Sequence, residues 1–531
     1  MKLDILYIFP FDFYGYRTVH NSFLTIFNRI SNYIHSKEVP PGCKIQEEYV
    51  DLRYEDLPAY TPENIDVYRQ KLEKILLHIY SGFPFDMVSI SCYSSFHYLN
   101  TVEVAAMIRS KINPECIIVV GGPHATIRPM DFNLNHLPRY ITRHYELQST
   151  PFTYLIKEEG EIPFYKLIRR YFRNGSPQKV HHKKHAKCKI LAPELVEDLN
   201  SLPPLDVELF RRYEEVLNRN LFNLNIEFSR GCPFQCKYCP NSAHYINCYK
   251  KVRVKSVDNC MRELHHLSET DWLKIKHLFI NDMIFMPKRS KKREFFEEIL
   301  RSQRERGQFP FRIEVEERVD LCSKEDLEKY AQSQIIPQFG LETASKTLLA
   351  RIGKILGVEQ STIRRGAEMY LRKAEELIIH ANKLELPVSF FYVIGLPGTD
   401  RHTINESKEF FLEKRFTNTS LIESYNVNLR FALYHAYFGT YFYDNAEQVY
   451  GTKMLCEQWW RKFSGDQIYY SQLVHPSDKI SLPEVIESYN LFLKQVFNSQ
   501  NKLKNSFYSV YKYTYFKEWM DKVLALYEVI S

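Results

Sequence analysis

Short apolar segments alternate with longer segments of helical periodicity along most of the chain. Consecutive parallel strands need a crossover connection, usually a helix, so this alternation predicts parallel sheets covered by helices. The first apolar segments are 3–9, 47–52, 87–92 and 116–120. We therefore expect residues 1–150 to form an α/β domain with a doubly wound, Rossmann-like sheet.

A second series of apolar segments begins after residue 206. Its six members are followed by helical patterns and are expected as strands at 225–229, 277–281, 312–316, 335–341, 388–394 and 425–429. Six such units predict a partial (β/α)6, TIM-like barrel over residues 206–440. We interpret 151–205 as a connector and 441–531 as a mainly helical C-terminal region.

Composition narrows the class of protein further. With 531 residues, 44% hydrophobic and 25% charged, the chain has the mix of a folded multidomain protein. Its net charge of +7 is spread along the sequence, so we expect no nucleic-acid partner. Asp4 and Asp12 interrupt the N-terminal apolar run, which argues against a signal peptide. No later segment reaches the roughly 18 apolar residues of a membrane span. We expect a cytoplasmic protein without a membrane partner, whose 11 cysteines do not form disulfides, so that a cluster of cysteines would indicate metal or redox chemistry.

Two loops follow strands of the first predicted sheet. One contains Ser94 and Ser95, and the other contains Gly121, Gly122 and His124. Because doubly wound sheets bind ligands at the carboxyl ends of their strands, these are candidate ligand-binding residues. A glycine pair is also common in a simple turn, and that interpretation stays open.

Three cysteines lie within eight residues directly after the first predicted barrel strand. Cys232, Cys236 and Cys239 have the spacing C-x3-C-x2-C, and we call residues 232–239 the cysteine loop. Three thiolates in one loop can bind three irons of a 4Fe-4S cluster and leave the fourth iron open to a substrate or cofactor. A structural zinc site is the alternative, with His244 or Cys248 as its fourth ligand.

The ends of the following barrel strands bear on this choice. Asn281 and Asp282 follow the second strand, Glu316 and Arg318 the third, and Glu342 the fourth. Barrel enzymes have their functional groups at the C-terminal ends of the strands, whereas a zinc knuckle needs no polar residues there. The pattern favours a cluster in an enzyme.

The cysteine loop, with Tyr238 before its third cysteine, resembles the signature of radical S-adenosylmethionine (SAM) enzymes. The turn Glu158-Glu159-Gly160-Glu161 and the segments Gly340-Leu341-Glu342-Thr343 and Gly395-Leu396-Pro397-Gly398 resemble the branch that has an N-terminal cobalamin-binding domain. The resemblance covers residues 1–440. It implies an enzyme in which an electron from the cluster splits SAM and a 5′-deoxyadenosyl radical abstracts hydrogen from the substrate.

The resemblance also implies how SAM is bound. The three cysteines would hold the cluster, the amino and carboxylate groups of SAM would chelate its open iron, and Tyr238 would lie near the adenine. Asn281 and Asp282 stand where the family usually has Gly-Gly-Glu, the segment that holds the methionyl amino group.

Three charged strand-end residues have two interpretations each. Under the resemblance, Glu316, Arg318 and Glu342 would contact the methionyl carboxylate or the ribose, or orient residues that do so. Each could instead form a buried structural ion pair.

For the N-terminal domain the resemblance implies cobalamin. Its nucleotide tail and corrin edge would lie against the two strand-end loops, at Ser94, Ser95, Gly121, Gly122 and His124. Many cobalamin domains supply an axial histidine from Asp-x-His-x-x-Gly, but no histidine of the first 150 residues has Asp two positions before it. We expect His-off cobalamin, and a domain that binds nothing is the alternative.

The implied function is a cobalamin-dependent radical SAM methyltransferase acting on an unactivated carbon or phosphorus centre of a small-molecule or peptide substrate. A flavodoxin or ferredoxin would serve as external electron donor. Cyclisation or rearrangement with the same cofactors is the alternative. A methylthiotransferase is disfavoured because Cys43, Cys92 and Cys116 lack the pattern of a second cluster. A non-enzymatic zinc or iron-sulfur binding protein is the remaining class.

Overall fold

The computed structural model describes residues 1–11, 22–173, 187–219, 223–243, 248, 250–355, 360–412, 427–463, 473–490 and 521–525. The strands are β1 (Lys2–Phe9), β2 (Ser22–Leu24), β3 (Lys44–Asp51), β4 (Met87–Ser91), β5 (Ile117–Gly121), β6 (Tyr154–Ile156), β7 (Lys189–Leu191), β8 (Asn223–Ile226), β9 (Ser229–Arg230), β10 (Arg253–Val254), β11 (His277–Ile280), β12 (Arg312–Glu317), β13 (Ile335–Glu342), β14 (Val388–Ile394), β15 (Val427–Leu433), β16 (Lys453–Met454) and β17 (Val474–His475). The helices are α1 (Ile26–His35), α2 (Ile65–Gly82), α3 (Tyr98–Met107), α4 (Pro123–Ile127), α5 (Arg139–His144), α6 (Glu161–Phe172), α7 (Glu214–Arg219), α8 (Val257–Ser268), α9 (Arg289–Arg306), α10 (Lys324–Ser333), α11 (Lys346–Arg351), α12 (Gln360–Lys383), α13 (Arg401–Leu412) and α14 (Tyr441–Tyr450).

The first sheet is parallel, in the order β3-β1-β4-β5-β6-β7. Alternate residues of β1 enter different cores, because successive strand residues point to opposite faces. Leu3, Ile5 and Tyr7 pack with α1 and α6, whereas Leu6 and Ile8 pack with α2 and α3. Helices therefore cover both faces, and the doubly wound prediction is confirmed.

This sheet extends beyond residue 150. Strands β6 and β7 lie within 151–205, the segment that the sequence predicts to be a connector. Each has only three residues, too few to show the alternation that marks a strand. Backbone pairing places them instead: the N–H of Thr153 donates to the carbonyl of Ile118 at 2.8 Å, and β6 continues in register beside β5.

The second sheet is also parallel, in the order β15-β14-β13-β12-β11-β8-β2. Its strands β8 and β11 to β15 are the six that the sequence predicts for the partial barrel. The seventh, β2, comes from within the predicted first domain, where Ser22 pairs with Asn223. A three-residue strand gives no pattern by itself, and the hydroxyl of Thr25 helps to fix it by donating to the carbonyl of Asn225 at 2.7 Å.

One apolar core joins the two sheets. It contains Phe27 and Phe164 from the helices on the first sheet together with Leu224 of β8. A buried ion pair adds to this contact, since Arg29 of α1 lies 2.5 Å from Glu263 of α8. The first sheet is therefore packed against the barrel.

The C-terminal region contains α14, the antiparallel pair β16–β17 and a helix at 482–490. A capping box begins the helix at 482–490, because the N–H of Ser481 donates to Glu484 at 2.9 Å and the N–H of Glu484 donates to the Ser481 hydroxyl at 3.4 Å. Val485 and Tyr489 on this helix are buried, whereas Phe492, Val496 and most of 507–527 lie outside the described residues. None of the helices in the described part of the chain combines the length and apolar character needed to cross a bilayer.

Candidate active site at the barrel mouth

The cysteine loop begins two residues after β9, at the carboxyl end of β8. Cys236 is buried, whereas Cys232 and Cys239 are partly exposed. Burial, with smaller contributions from Cys236 and Cys232, raises the pKa of the Cys239 thiol to about 12. The three sulfurs therefore lie close enough to influence one another.

Three thiols in one loop are a donor set that fits a 4Fe-4S cluster. Among the described residues, no three Cys, His, Asp or Glu side chains converge on one point that a metal ion could occupy. A zinc ion draws its sulfur ligands to about 2.3 Å from one centre, whereas a cluster binds each cysteine to a different iron. His244, a fourth ligand in the zinc alternative, lies outside the described residues, and Cys248 is buried beside Ala243.

Arg318 lies against the cysteine loop. Its Nη1 is 3.9 Å from Cys236 Sγ, and its guanidinium carbon is 3.7 Å from the centre of the Phe234 ring. It also donates to both carboxylate oxygens of Asp320, at 2.9 and 2.8 Å, and to the carbonyl of Lys354 at 3.0 Å. Arg318 thus forms an ion pair with Asp320 beside Cys236, and its contact with SAM stays a prediction.

Glu342 and Lys354 form a buried pair at the end of β13. Lys354 Nζ donates to Glu342 Oε1 at 2.9 Å. Glu342 has a left-handed backbone, with φ of 65°, which is strained for a residue with a side chain and is common at functional sites. Burial, followed by the Glu342 charge, raises the pKa of the Tyr238 phenol well above its usual value. Tyr238 and Glu342 are therefore neighbours, and their contacts with SAM stay a prediction.

Glu316 lies on β12, between the strands that carry the other two candidate carboxylates. It is partly exposed at the barrel mouth. Burial raises its pKa to about 7, the charges of Glu342 and Asp282 add to this, and Lys354 and Arg430 oppose it. Three carboxyl groups from adjacent strands thus converge at one edge of the sheet.

Asp282 contacts the backbone that leads into the cysteine loop. It is fully buried, and its Oδ1 accepts from the N–H groups of Phe228 and Ser229 at 2.7 and 2.8 Å. Its neighbour Asn281 has an exposed side chain, while the Asn281 N–H continues the pairing to Ile226 at 2.7 Å. Asp282 thus fixes the course of the chain, and Asn281 is the one of the two that is open to a ligand.

An Asp282→Asn variant is expected to gain stability at neutral and higher pH. Burial raises the pKa of Asp282 to about 7, so the folded state binds more protons than the unfolded state between about pH 4 and 7. The carboxylate therefore becomes increasingly destabilising as pH rises through that window. Asn keeps the Oδ1 acceptor without the charge, and we expect a gain of about 1–3 kcal/mol at pH 8 and a smaller gain at pH 5.

Thermal unfolding at the two pH values measures this effect. Asp282→Ala is the control, because it removes the acceptor and should destabilise the chain at both. A stability loss at pH 8 in Asp282→Asn would contradict the raised pKa of Asp282 and the destabilising effect of its carboxylate.

Arg230, two residues before Cys232, is surrounded by carboxylates. Its Nη1 lies 3.0 Å from Glu159 and its Nη2 2.5 Å from Glu161, and its Nε donates to Glu227 at 2.9 Å. Glu159 and Glu161 belong to the turn noted in the sequence, which therefore anchors the cysteine loop. This role of Arg230 was not predicted from the sequence, although only Gly231 separates Arg230 from Cys232.

The two strand-end loops of the first sheet lie against each other at Gly122. Its φ is 101°, and a Cβ at this position would lie 2.7 Å from the carbonyl oxygen of Cys92. Only glycine fits this approach, so the pair is more than an ordinary turn. The hydroxyl of Ser94 is 2.8 Å from His97 Nδ1, and that of Ser95 is 2.9 Å from His124 Nδ1.

His124 lies in the interior and not on the loop surface. Its ring packs on Tyr98 and Trp460, with centroids at 4.9 and 5.9 Å, and burial lowers its pKa. Trp460 and Arg461 also donate to Asp131, at 2.8 and 2.6 Å. The sequence gives no signal of this contact, because it joins residues 329 positions apart.

The carboxyl ends of the two sheets face each other. Burial, with a contribution from Glu316, raises the pKa of Tyr93 at the end of β4. Burial, with contributions from Cys239 and Tyr93, raises the pKa of Tyr437 to about 12. The Phe96 ring lies 6.4 Å from that of His435. The space between the sheets is therefore bordered by aromatic rings, carboxylates and a cysteine of the loop.

The part of the chain that forms the mouth of the barrel matches a known protein family. Residues 226–411 match the Radical SAM superfamily. These residues form a radical SAM domain. They begin at the last residue of β8 and include the cysteine loop together with the ends of β11 to β14, so the similarity covers the part of the chain that forms this site.

Two curated relatives carry methyltransferase names. An uncharacterized methyltransferase of Pyrococcus horikoshii is 22% identical over 62% of this chain and 65% of its own length. The hopanoid C-3 methylase of Methylococcus capsulatus is 28% identical over 34% of this chain and 32% of its own length. The aligned part of the chain thus spans about two thirds of the length of the first relative and about a third of the length of the second.

A solved structure shares the fold beyond the radical SAM domain. The radical SAM methyltransferase TsrM from Kitasatospora setae, solved with cobalamin and a 4Fe-4S cluster, is 12% identical and aligns with a TM-score of 0.54. The alignment covers 81% of this chain and 75% of TsrM. The similarity shows that the arrangement of sheets is one that occurs in known proteins.

Proposed function

We propose that the chain is a cobalamin-dependent radical SAM methyltransferase. Its substrate would be a small molecule or peptide with an unactivated carbon or phosphorus centre. The observation that carries the proposal is the facing of the two strand edges, with Tyr93 of the first sheet near Glu316 of the barrel and Tyr437 near both Tyr93 and Cys239. A cofactor held by the first sheet would thus lie next to one held by the cysteine loop.

The residues at this edge suit the groups to be held. The cysteine loop supplies three thiols, and Glu316 and Glu342 supply acceptors for the amino group or ribose hydroxyls of SAM. When bound, these cofactors supply a 5′-deoxyadenosyl radical and a methyl group carried on cobalt. Tyr93 and Tyr437 border the space between the sheets, and an external electron donor would reduce the cluster.

The state of the histidines supports the His-off form of cobalamin. His97 and His124 are the buried histidines beside the strand-end loops, and each has its Nδ1 bonded to a serine hydroxyl. Both rings are therefore already hydrogen-bonded within the first domain. The names of the relatives, a methylase and a methyltransferase, support methyl transfer as the reaction.

Anaerobic reconstitution tests the proposal. The full chain is loaded with iron, sulfide and hydroxocobalamin, desalted, and its metals are counted; four irons and one cobalt per chain are expected. With dithionite and methyl-labelled SAM, 5′-deoxyadenosine and labelled methylcobalamin should form. Absence of cobalt would contradict the cobalamin part, and cobalt without methyl transfer would favour the cyclase or rearrangement alternative.

A Gly122→Ala variant is expected to lose most of its cobalamin uptake while keeping its iron. The added Cβ collides with the Cys92 carbonyl and pushes apart the two loops proposed to hold the corrin. Gly307→Ala is the matched control, because Gly307 also has a positive φ, 86°, but has no atom within 4 Å of the added Cβ. Equal cobalt content in the two variants would show that these loops do not bind cobalamin.

A further inference from the structure

Arg318 is a buried cation next to a thiol of the cysteine loop. Its side chain is 6% exposed, and Nη1 lies 3.9 Å from Cys236 Sγ. The Phe234 ring covers one face of the guanidinium at 3.7 Å, and the carbonyl of Lys354 accepts from Nη2 at 3.0 Å. These contacts hold the group in place beside the sulfur.

The partner of this cation lies in a different environment. The Asp320 side chain is 38% exposed, and its carboxylate is 2.8 Å from the Arg318 guanidinium. Solvent screens an exposed charge much more than a buried one. The field at Cys236 is therefore dominated by the cation, and Asp320 opposes it only in part.

The second buried cation near the loop is neutralised more completely. The side chain of Lys354 is 4% exposed, and Nζ lies 2.9 Å from the Glu342 carboxylate, whose side chain is only 12% exposed. Two buried opposite charges at this distance cancel at longer range. Arg318 is therefore the stronger source of positive potential at the cysteine loop.

We propose that Arg318 is a positioning residue that sets the reduction potential of the cluster, with Asp320 limiting its effect. The inference rests on the proposed function, since it requires a cluster on the cysteine loop. Reduction adds one electron to the cluster, and in a titration sodium dithionite supplies that electron and is oxidised to sulfite. Hydrogen bonds and positive charge at the cluster sulfurs favour the reduced state and raise the potential. Removing the cation should lower the potential, and removing its counter-charge should raise it.

The test is a dithionite titration of the reconstituted full chain, followed by electron paramagnetic resonance of the reduced cluster. In Arg318→Met we expect the reduction equilibrium to become about tenfold less favourable, which is about 59 mV for one electron. Asp320→Asn should shift it in the opposite direction, and Arg318→Lys should recover part of the loss. Glu325→Gln is the control, because Glu325 is an exposed acid on α10 and should leave the potential unchanged.

Opposite shifts in Arg318→Met and Asp320→Asn are the expected result, and a purely structural role would not produce them. An unchanged potential in both, or shifts of the same sign, would overturn the inference. If Arg318→Met contains no iron, the Asp320→Asn titration decides, and its failure to raise the potential overturns the inference. Iron and sulfide counts on the native chain separate this from the proposed function, because a native chain without a cluster contradicts both.

Discussion

Replacing any one of Cys232, Cys236 and Cys239 with Ala is expected to abolish both cluster assembly and SAM cleavage. Each thiolate binds a different iron, so the loss of one leaves an iron without its protein ligand. The measurements are iron content after anaerobic reconstitution and 5′-deoxyadenosine formation with dithionite. Both should fall to background in all three variants.

Cys456 provides the matched control. It is also partly exposed but lies in the C-terminal region after α14. Cys456→Ala should keep four irons and native cleavage. Full cleavage in any variant of the cysteine loop would contradict the assignment of that cysteine.

The second large effect is expected at Arg230. Met in its place leaves Glu161 buried without this cation, whereas Glu159 keeps its pair with Arg253, and breaking a buried ion pair from one side costs about 3–5 kcal/mol. Because Arg230 stands two residues before Cys232, the variant should also lose most of its cluster. Denaturant unfolding and iron content measure the two losses.

Arg211→Met is the control for Arg230→Met. Arg211 also has two carboxylate neighbours, Glu208 and Glu214, but its side chain is 48% exposed. Exposed pairs contribute about 0–1 kcal/mol, so this variant should stay near native stability. Equal stability losses in the two variants would remove the special role of the buried group around Arg230.

The strands of the barrel were predictable because each is a local pattern. The predicted segment 388–394 coincides with β14, and 335–341 differs from β13 by one residue. A strand that is buried on both faces is a continuous apolar run, and this signal does not depend on the rest of the fold. The same holds for the cysteine loop, whose spacing is contained in eight residues.

The features that were not predicted depend on contacts between distant parts of the chain. Strand β2 exists only because Ser22–Leu24 finds the free edge of β8, about 200 residues away. The local sequence around Arg230 does not indicate that it is buried, because its partners Glu159 and Glu161 lie about 70 positions earlier in the chain. Trp460 covers His124 through a contact over more than 300 positions, and nothing in its local sequence indicates it.

The candidate site was predictable in composition but less so in the role of each residue. Strand-end position correctly brought Glu316 and Glu342 to one edge, since parallel strands end on the same side. It could not show that Asp282 faces the backbone of Phe228, or that Arg318 points to Cys236. Side-chain direction at the end of a strand depends on how the following loop turns.

One measurement tests the central claim that the two cofactors would meet at the facing edges of the two sheets. It is electron paramagnetic resonance of the full chain loaded with cob(II)alamin and cluster, recorded before and after the cluster is reduced. We expect a cob(II)alamin signal without nitrogen splitting from an axial histidine, and we expect reduction of the cluster to broaden it by magnetic coupling. A signal with histidine splitting that is unchanged by reduction would contradict the account.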